Sequence, residues 1–220
     1  MTEHRQIALN ELQLDALTEL VNLGVSRAAT NLREMVKQEV TLSVPRVSVV
    51  TRDEAIANLG EREGRRLVAV HQDFEGDIKG RALLIFPEAK SMELVRAVVG
   101  GDLALEELME LEQEALAETG NVLLNGCLGT IANNLERSLR ISLPEVVHGD
   151  SAEFFNLPSD PSVGESVLFI YINFAVRQRD IQGYIAMLLD LPSLSALQNL
   201  LDAFIERATG LTTTPPAHAR

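Results

Sequence analysis

Cysteine is almost absent from this chain, because Cys127 is the single one in 220 residues. No disulfide can form within the chain, which is typical of proteins in a reducing compartment. Cys127 lies among apolar residues at helical spacing, which favours a small buried side chain over a catalytic thiol. The four histidines are scattered, without metal-ligand spacing to one another or to Cys127. We expect no metal or other cofactor of the chain's own.

Positive charge and aromatic side chains are also scarce. The chain has 19 Lys and Arg against 32 Asp and Glu, a formal net charge of −13, and 4% aromatic residues. Nucleic-acid binding needs a basic surface, so nucleic acid is not an expected partner, and neither is an anionic membrane surface. The acidity favours a basic or partly cationic protein partner, although it can also serve solubility alone.

Long apolar runs and familiar catalytic motifs are missing as well. The longest apolar run, residues 167–176, is interrupted by Asn173 and is too short to cross a bilayer as a helix. The polar N-terminus lacks the apolar segment of a signal peptide, so we expect a cytoplasmic protein without membrane insertion. There is no phosphate-binding loop, no Gly-rich dinucleotide turn and no Gly-x-Ser-x-Gly nucleophile elbow. A hydrolase with its own nucleophile or metal is therefore not expected.

What the sequence does contain is a polar stretch that occurs twice. Asp15, Glu19, Asn22 and Pro45 correspond, by one constant shift, to Glu114, Glu118, Asn121 and Pro144. The polar members lie three or four residues apart among apolar residues at helical spacing, so each copy predicts an amphipathic helix with a polar stripe. Ser26 and Asn125 extend the two stripes. A solvated helix face is the ordinary explanation, but repetition at one helical phase favours a functional site in each half.

The predicted secondary structure repeats in the same order. Helices are expected at 11–37, 53–59 (capped by Asp53), 87–99, 106–138 and after Pro192, with one helical turn around 152–156. Strands are expected at 39–50, with Pro45 at an edge or bend, and at 66–73, 78–86, 139–148, 166–176 and 181–189. The fold class is therefore α/β, of the α+β kind, with pseudo-twofold α-β-(α)-β-β-α halves that share one sheet.

The domain organisation follows from the repeat. We expect a lead-in at 1–10, a single domain at 11–208 with halves at 11–101 and 102–208, and a disordered tail at 209–220. Only Gly100-Gly101-Asp102 separates the halves, which is too short for a linker between independent domains.

A Glu and an Asn one helical turn apart can assist phosphoryl transfer on a partner. The carboxylate can bind a lysine or arginine of that partner. The carboxamide, which is both donor and acceptor, can hold a water in line with a phosphoryl group. Phosphoryl transfer depends mainly on positioning, so one residue on a rigid helix can suffice if the partner supplies the metal and the phosphoryl group.

The doubled pattern Asp/Ser-x3-Glu-x2-Asn-x22-Pro resembles the CheC-type phosphatases of bacterial and archaeal chemotaxis, to which CheX and FliY are related. The resemblance extends from about residue 11 to residue 208. It implies the family's α/β pseudo-dimer, with both motif helices exposed on one side of a shared sheet. It also implies hydrolysis of the aspartyl phosphate on a CheY-like response regulator.

The resemblance assigns roles residue by residue. Glu19 and Glu118 would contact the regulator's active-site lysine, and Asn22 and Asn121 would orient the attacking water. Asp15, Glu114, Pro45 and Pro144 would support the two motifs. Mg²⁺ would be bound by the regulator, and many members of the family also bind the deamidase CheD.

Two departures and one alternative function accompany the resemblance. Glu114 stands where the family prefers Asp or Ser, and Arg27 adds bulk and charge near the first motif. The alternative is a non-catalytic adaptor that binds a phosphorylated regulator or CheD and sequesters it.

Overall fold

A computed structural model of the chain describes residues 9–37, 39–64, 66–100, 104–156, 166–176 and 179–210. Within these residues the first half contains α1 (Glu11–Val36), β1 (Val40–Thr51), α2 (Arg52–Glu63), β2 (Leu67–Gly76), β3 (Gly80–Pro87) and α3 (Glu88–Val99). The second half contains α4 (Leu105–Asn134), β4 (Leu139–Ile141), β5 (Glu145–Gly149), α5 (Ser151–Phe155), β6 (Ser166–Val176), β7 (Arg179–Leu189) and α6 (Leu191–Thr209). The predicted order of helices and strands is confirmed in both halves.

The first motif helix, α1, begins and ends at residues that its sequence signals. The Asn10 side chain accepts a hydrogen bond from the Gln13 backbone N–H at 2.9 Å, and the Gln13 side chain accepts one from the Asn10 N–H at 3.0 Å. This reciprocal pair satisfies two N–H groups that the first turn would leave unpaired. The Gln13 side-chain amide also donates to Asp202 of α6 at 2.9 Å. Lys37 ends the helix in the left-handed conformation, with φ of 52°.

Several predicted boundaries were wrong. The helix α2 ends at Glu63 rather than at 59. Thr51, not Asp53, caps α2, because its hydroxyl accepts from the Glu54 N–H at 3.2 Å while its own N–H donates to Glu54 at 2.8 Å. The helix α4 ends at Asn134 rather than at 138, and Glu136 follows with φ of 59°. The strand expected at 139–148 is two short strands, β4 and β5. Pro144 lies in the break between them, where it has no N–H to donate to a ladder.

All seven strands form one antiparallel sheet in the order β1-β6-β7-β3-β2-β4, with β5 also paired to β2. The first strand of each half pairs with the other half, since β1 pairs with β6 while β4 and β5 pair with β2. The central pair, β3 and β7, joins the halves.

The symmetry axis can be located in the central pair of strands. Gly80 and Gly183 are equivalent in the repeat Asp-Ile-x-Gly, so Leu83 and Ala186 are equivalent too. These two residues are also direct partners in the ladder between β3 and β7. The pseudo-twofold axis therefore passes between them, and the predicted sharing of one sheet by two related halves is confirmed.

The helices cover the two faces of the sheet unequally. The larger apolar cluster packs α1, α3, α4 and α6 on one face, and the smaller one packs α2 and α5 on the other. Of the helices within the described ranges, none combines the length and apolar character that crossing a membrane requires. The predicted lead-in and tail fall largely on residues 1–8 and 211–220, which lie outside the described residues, so the domain boundaries stay predictions.

Candidate functional site

Both predicted polar stripes lie on long helices that face outward from the larger apolar cluster. On α1, Asp15 and Glu19 are exposed and Asn22 is half-buried; on α4, Glu114 and Glu118 are exposed and Asn121 is half-buried. The apolar residues between them, such as Leu17 and Leu116, are buried. None of the four carboxylates forms an ion pair or hydrogen bond with a residue that the structure describes. They are therefore available to a cationic partner.

The two motif helices pack directly on each other. A Cβ at Gly24 of α1 would lie 2.9 Å from the Cα of Cys127, and one at Gly126 of α4 would lie 2.8 Å from the Cβ of Ala28. The close approach lies after Asn22 on α1 and after Asn121 on α4, and both helices cover the same face of the sheet. Cys127 is fully buried at this crossing, and burial raises its pKa to about 12. A thiol with that pKa stays protonated at neutral pH, in agreement with the predicted structural role.

A second close approach brings α4 onto the sheet beside Asn121. A Cβ at Gly120 would lie 2.7 Å from the Cβ of Val70 in β2. Because Gly120 has no side chain, α4 can rest on β2 at this point, just as Gly24 lets α1 approach α4. The next helix-facing residue of β2 after Val70 is Gln72, whose side chain is completely buried.

Gln72 connects Asn121 to the strand break around Pro144. The Gln72 Nε2 group donates to the backbone carbonyl of Ser142 at 2.8 Å and to Oδ1 of Asn121 at 3.3 Å. Asn125 Nδ2 donates to the same Oδ1 at 2.7 Å. Ser142 is held in turn by Asp73, whose N–H donates to its hydroxyl at 2.9 Å. The motif proline thus lies beside the residue that anchors this network.

Sequence reasoning missed Gln72 and did not identify Asn125 as a site residue. A signal for Gln72 was present, since it is the one polar member of the helix-facing series Val68, Val70, Gln72 and Phe74. A buried amide among apolar neighbours requires a hydrogen-bond partner, and a polar stripe on a helix is an obvious source of one.

The first site lacks this network. Ile170 in β6 is the equivalent of Gln72, because the two residues pair with the equivalent residues Ile185 and Ala82. Ser26, which is exposed, is the equivalent of Asn125. No described residue makes a hydrogen bond with the Asn22 side chain. The first motif proline, Pro45, lies in strand β1 at a shift of register between Ser43 and Arg46, and β1 is an edge strand, one of the two places predicted for this proline.

Both the sequence and the fold of this chain resemble those of known proteins. The CheC-like family model matches residues 12–49, the segment that contains the first motif through Pro45. The CheY-P phosphatase CheC of Bacillus subtilis (strain 168) is 27% identical over 141 residues, which is 63% of this chain and 67% of that protein. The flagellar motor switch phosphatase FliY of the same organism is 24% identical over 140 residues, 63% of this chain but only 36% of that protein.

The fold is also that of a solved relative. The crystal structure of FliY from Thermotoga maritima superimposes with a TM-score of 0.68 at 16% identity, covering 90% of this chain and 100% of the solved one. At that identity the likeness shows the fold. The family match over the first motif and the two Bacillus subtilis relatives show that the sequence of this chain is similar to the CheC-like family.

Proposed function

We propose that this chain accelerates hydrolysis of the aspartyl phosphate of a CheY-like response regulator. The observation that carries the proposal is the pair of outward-facing Glu and Asn stripes on α1 and α4, two helices that pack directly on each other. Two relatives, CheY-P phosphatase CheC and flagellar motor switch phosphatase FliY, are phosphatases by name, and their names suggest the reaction class. Phosphorylation of such a regulator in the cytoplasm makes the cytoplasm the proposed location.

In this proposal the carboxylates bind the regulator. Glu19 and Glu118 are exposed, and neither has an ionic partner among the residues that the structure describes. A lysine ammonium group of the regulator can therefore form a charge-assisted hydrogen bond with each without breaking an existing pair. The net charge of −13 on the chain favours the approach of a cationic surface.

The asparagines act on the water. Asn22 and Asn121 lie one helical turn after the carboxylates and are only half-buried, so a regulator bound at Glu19 or Glu118 brings its active site to them. A carboxamide can hydrogen-bond a water and hold it in line with the phosphoryl group, and a rigid helix limits its movement. The metal that neutralises the phosphoryl oxygens is the regulator's Mg²⁺.

An exposed leucine beside each motif extends the proposed contact surface. Leu23 follows Asn22 and is 43% exposed, and Leu143 follows Ser142 and is 85% exposed. A partner that covers an exposed leucine removes apolar surface from water, which stabilises the complex. We place them at the border of the regulator's docking surface.

The first prediction is that Asn22→Ala combined with Asn121→Ala abolishes acceleration. We expect at least about a hundredfold loss, the scale seen when a positioned hydrogen-bonding group is removed from an active site. The measurement is decay of the aspartyl phosphate on a CheY-like regulator with Mg²⁺, with and without the chain. Asn31→Ala with Asn133→Ala is the matched control, because both residues are exposed on the same two helices outside the stripes.

With the control variant, the aspartyl phosphate of the regulator should decay as fast as it does with the wild-type chain. Retained acceleration in the Asn22/Asn121 double variant would remove the role assigned to the asparagines. Binding of the phosphorylated regulator without faster decay by the wild-type chain would instead make the protein an adaptor, and a binding assay with CheD would then be the next step.

A further inference from the structure

We propose that Gln72 is a positioning residue of the second site, where it fixes the carboxamide of Asn121 for work on the phosphorylated regulator. This inference rests on the proposed function and deepens it. The first site, which has Ile170 in the equivalent place, works without such support. The two sites of the chain are therefore inequivalent in how they hold their asparagines.

One backbone carbonyl sets the orientation of all three amides in the network. The Ser142 carbonyl can only accept, so the Gln72 group that lies 2.8 Å from it must be the NH2. That NH2 also faces Asn121, which must therefore present Oδ1 to it. Asn125 must in turn present its NH2 to the same oxygen. The arrangement holds together only with these three orientations.

The consequence for Asn121 is a fixed side chain. Its Oδ1 has two lone pairs, and the donors on Gln72 and Asn125 occupy both. The NH2 of Asn121 makes no hydrogen bond to a described residue and is the part left for the regulator and its water. A carboxamide that is held in advance loses less conformational freedom when the regulator binds.

Folding alone does not explain a glutamine at position 72. Its side chain is completely buried, and neither Gln72 Oε1 nor Asn125 Oδ1 has a hydrogen-bond partner among the described residues. Buried unpaired oxygens destabilise a protein, and an apolar residue of similar size avoids them. Ile170 shows that an apolar residue fits the equivalent position of this same fold. The loss of stability caused by a buried glutamine at this position is explained if Gln72 positions Asn121.

The test isolates each site before Gln72 is changed. Asn22→Ala leaves only the second site, and Asn121→Ala leaves only the first. Gln72→Leu is then added to each. With the second site alone we expect kcat for phosphate release to fall about tenfold, with KM for the phosphorylated regulator unchanged, because a loosened group is misplaced rather than lost. With the first site alone, Gln72→Leu should change neither constant.

A matched control and a second readout separate positioning from folding. Thr119→Val removes another buried polar group of α4, a hydroxyl whose one hydrogen bond within the described part of the chain is to the Ala115 carbonyl at 2.7 Å. This variant should leave both kinetic constants as they were. In NMR spectra of the otherwise wild-type chain, Gln72→Leu should shift and mobilise the side-chain NH2 signals of Asn121 and Asn125 but not those of Asn22. Urea unfolding should show no loss of stability.

The contrary outcomes are distinct. Unchanged kcat with the second site alone, equal losses with either site alone, or unchanged Asn121 and Asn125 signals would each overturn the role of Gln72. A wild-type chain that does not accelerate phosphate release would overturn the proposed function, and the role of Gln72 with it.

Discussion

The two motif sites have the same Glu and Asn pair on the surface and different residues beneath it. Under the second motif, Gly120 lets α4 rest on β2, and Gln72 meets Asn121. Under the first, Val21 and Ile170 stand in the equivalent places, and both are buried and apolar. Each half thus repeats the groups that would face a partner but not the groups that hold them. A repeated motif by itself does not make two equal sites.

The network beneath the second motif combines residues from both halves of the chain. Gln72 belongs to the first half of the chain, whereas Asn121, Asn125 and Ser142 belong to the second. They meet because β4 and β5 of the second half pair with β2 of the first. The pairing of β4 and β5 with a strand of the other half therefore brings the residues of this network together.

The largest difference to test between the sites is the contact at Gly120. We expect Gly120→Ala to lower the free energy of unfolding by about 1–3 kcal/mol, because the added methyl would overlap the side chain of Val70. With Asn22→Ala present, so that only the second site remains, phosphatase activity should fall as well, since α4 is displaced from Gln72. The measurements are urea unfolding and phosphate release.

Two further variants separate this overlap from a general effect of alanine. Gly129→Ala changes another glycine of α4, where a Cβ would meet nothing within 4 Å, and should be neutral or stabilise the chain by up to about 1 kcal/mol. Adding Val70→Ala to Gly120→Ala removes the overlapping methyls and should restore part of the activity. If Gly120→Ala behaves like Gly129→Ala, the close packing of α4 on β2 does not distinguish the sites.

The motif helices and the repeat could be predicted from sequence because their signals are local or regular. Asn10 with Gln13 marks the start of α1, and the spacing of apolar residues fixes which face is buried. The contact between Gln72 and Asn121 joins residues 49 apart, and it depends on how closely α4 approaches β2, which no local pattern encodes. Likewise, Thr51 and Asp53 are both good helix caps, and only the end of β1 at Thr51 decides between them.

A second contrast between the halves lies at the start of their last helices. The Asp190 side chain accepts from the Ser193 N–H at 2.7 Å and pairs with Lys79 Nζ at 3.2 Å, whereas the equivalent Pro87 gives α3 no side-chain cap. Burial alone would raise the pKa of the Asp190 carboxyl, but hydrogen bonds from Ser193 and Lys79 lower it overall. The stabilisation that ionised Asp190 gives to the folded chain is therefore fully present above the ordinary aspartate pKa. It is lost as the pH falls through the lower pKa that Asp190 has in the folded state.

We expect Asp190→Ala to lower the free energy of unfolding by about 1–2 kcal/mol at neutral pH, the usual cost of a lost cap. Asp190→Asn keeps an acceptor for the Ser193 N–H but not the charge, so its effect should be intermediate. Pro87→Ala is the matched control at the equivalent position and should cost less than Asp190→Ala in the same urea titration. Equal losses for the two alanine variants would mean that the caps do not differ in energy.

The smallest expected difference concerns the face of β2 that points away from Asn121. His71 lies there beside Glu145, with 3.5 Å between Nε2 and Oε2, while its equivalent in the other half is Phe169. Burial, and after it the charge of Arg81, lowers the pKa of His71, although Glu145 and Asp73 oppose the shift. The folded chain therefore binds this proton less readily than the unfolded chain, and protonation favours unfolding. The free energy of unfolding should rise between the lowered pKa and the ordinary histidine value, and the gain should be complete above that value.

His71→Phe, which copies the other half, isolates this contribution. The variant and the wild-type chain contain the same carboxylates, so the difference between their unfolding free energies at about pH 5.5 and about pH 7.5 reports His71. The free energy of unfolding of the wild-type chain should rise relative to that of the variant as the pH rises. Phosphate release should stay unchanged. Successive residues of a strand point to opposite faces, so His71 points away from Asn121 while Gln72 contacts it. A difference that is constant with pH would mean that His71 binds its proton equally well in the folded and unfolded chain, and that the halves differ on this face only in shape.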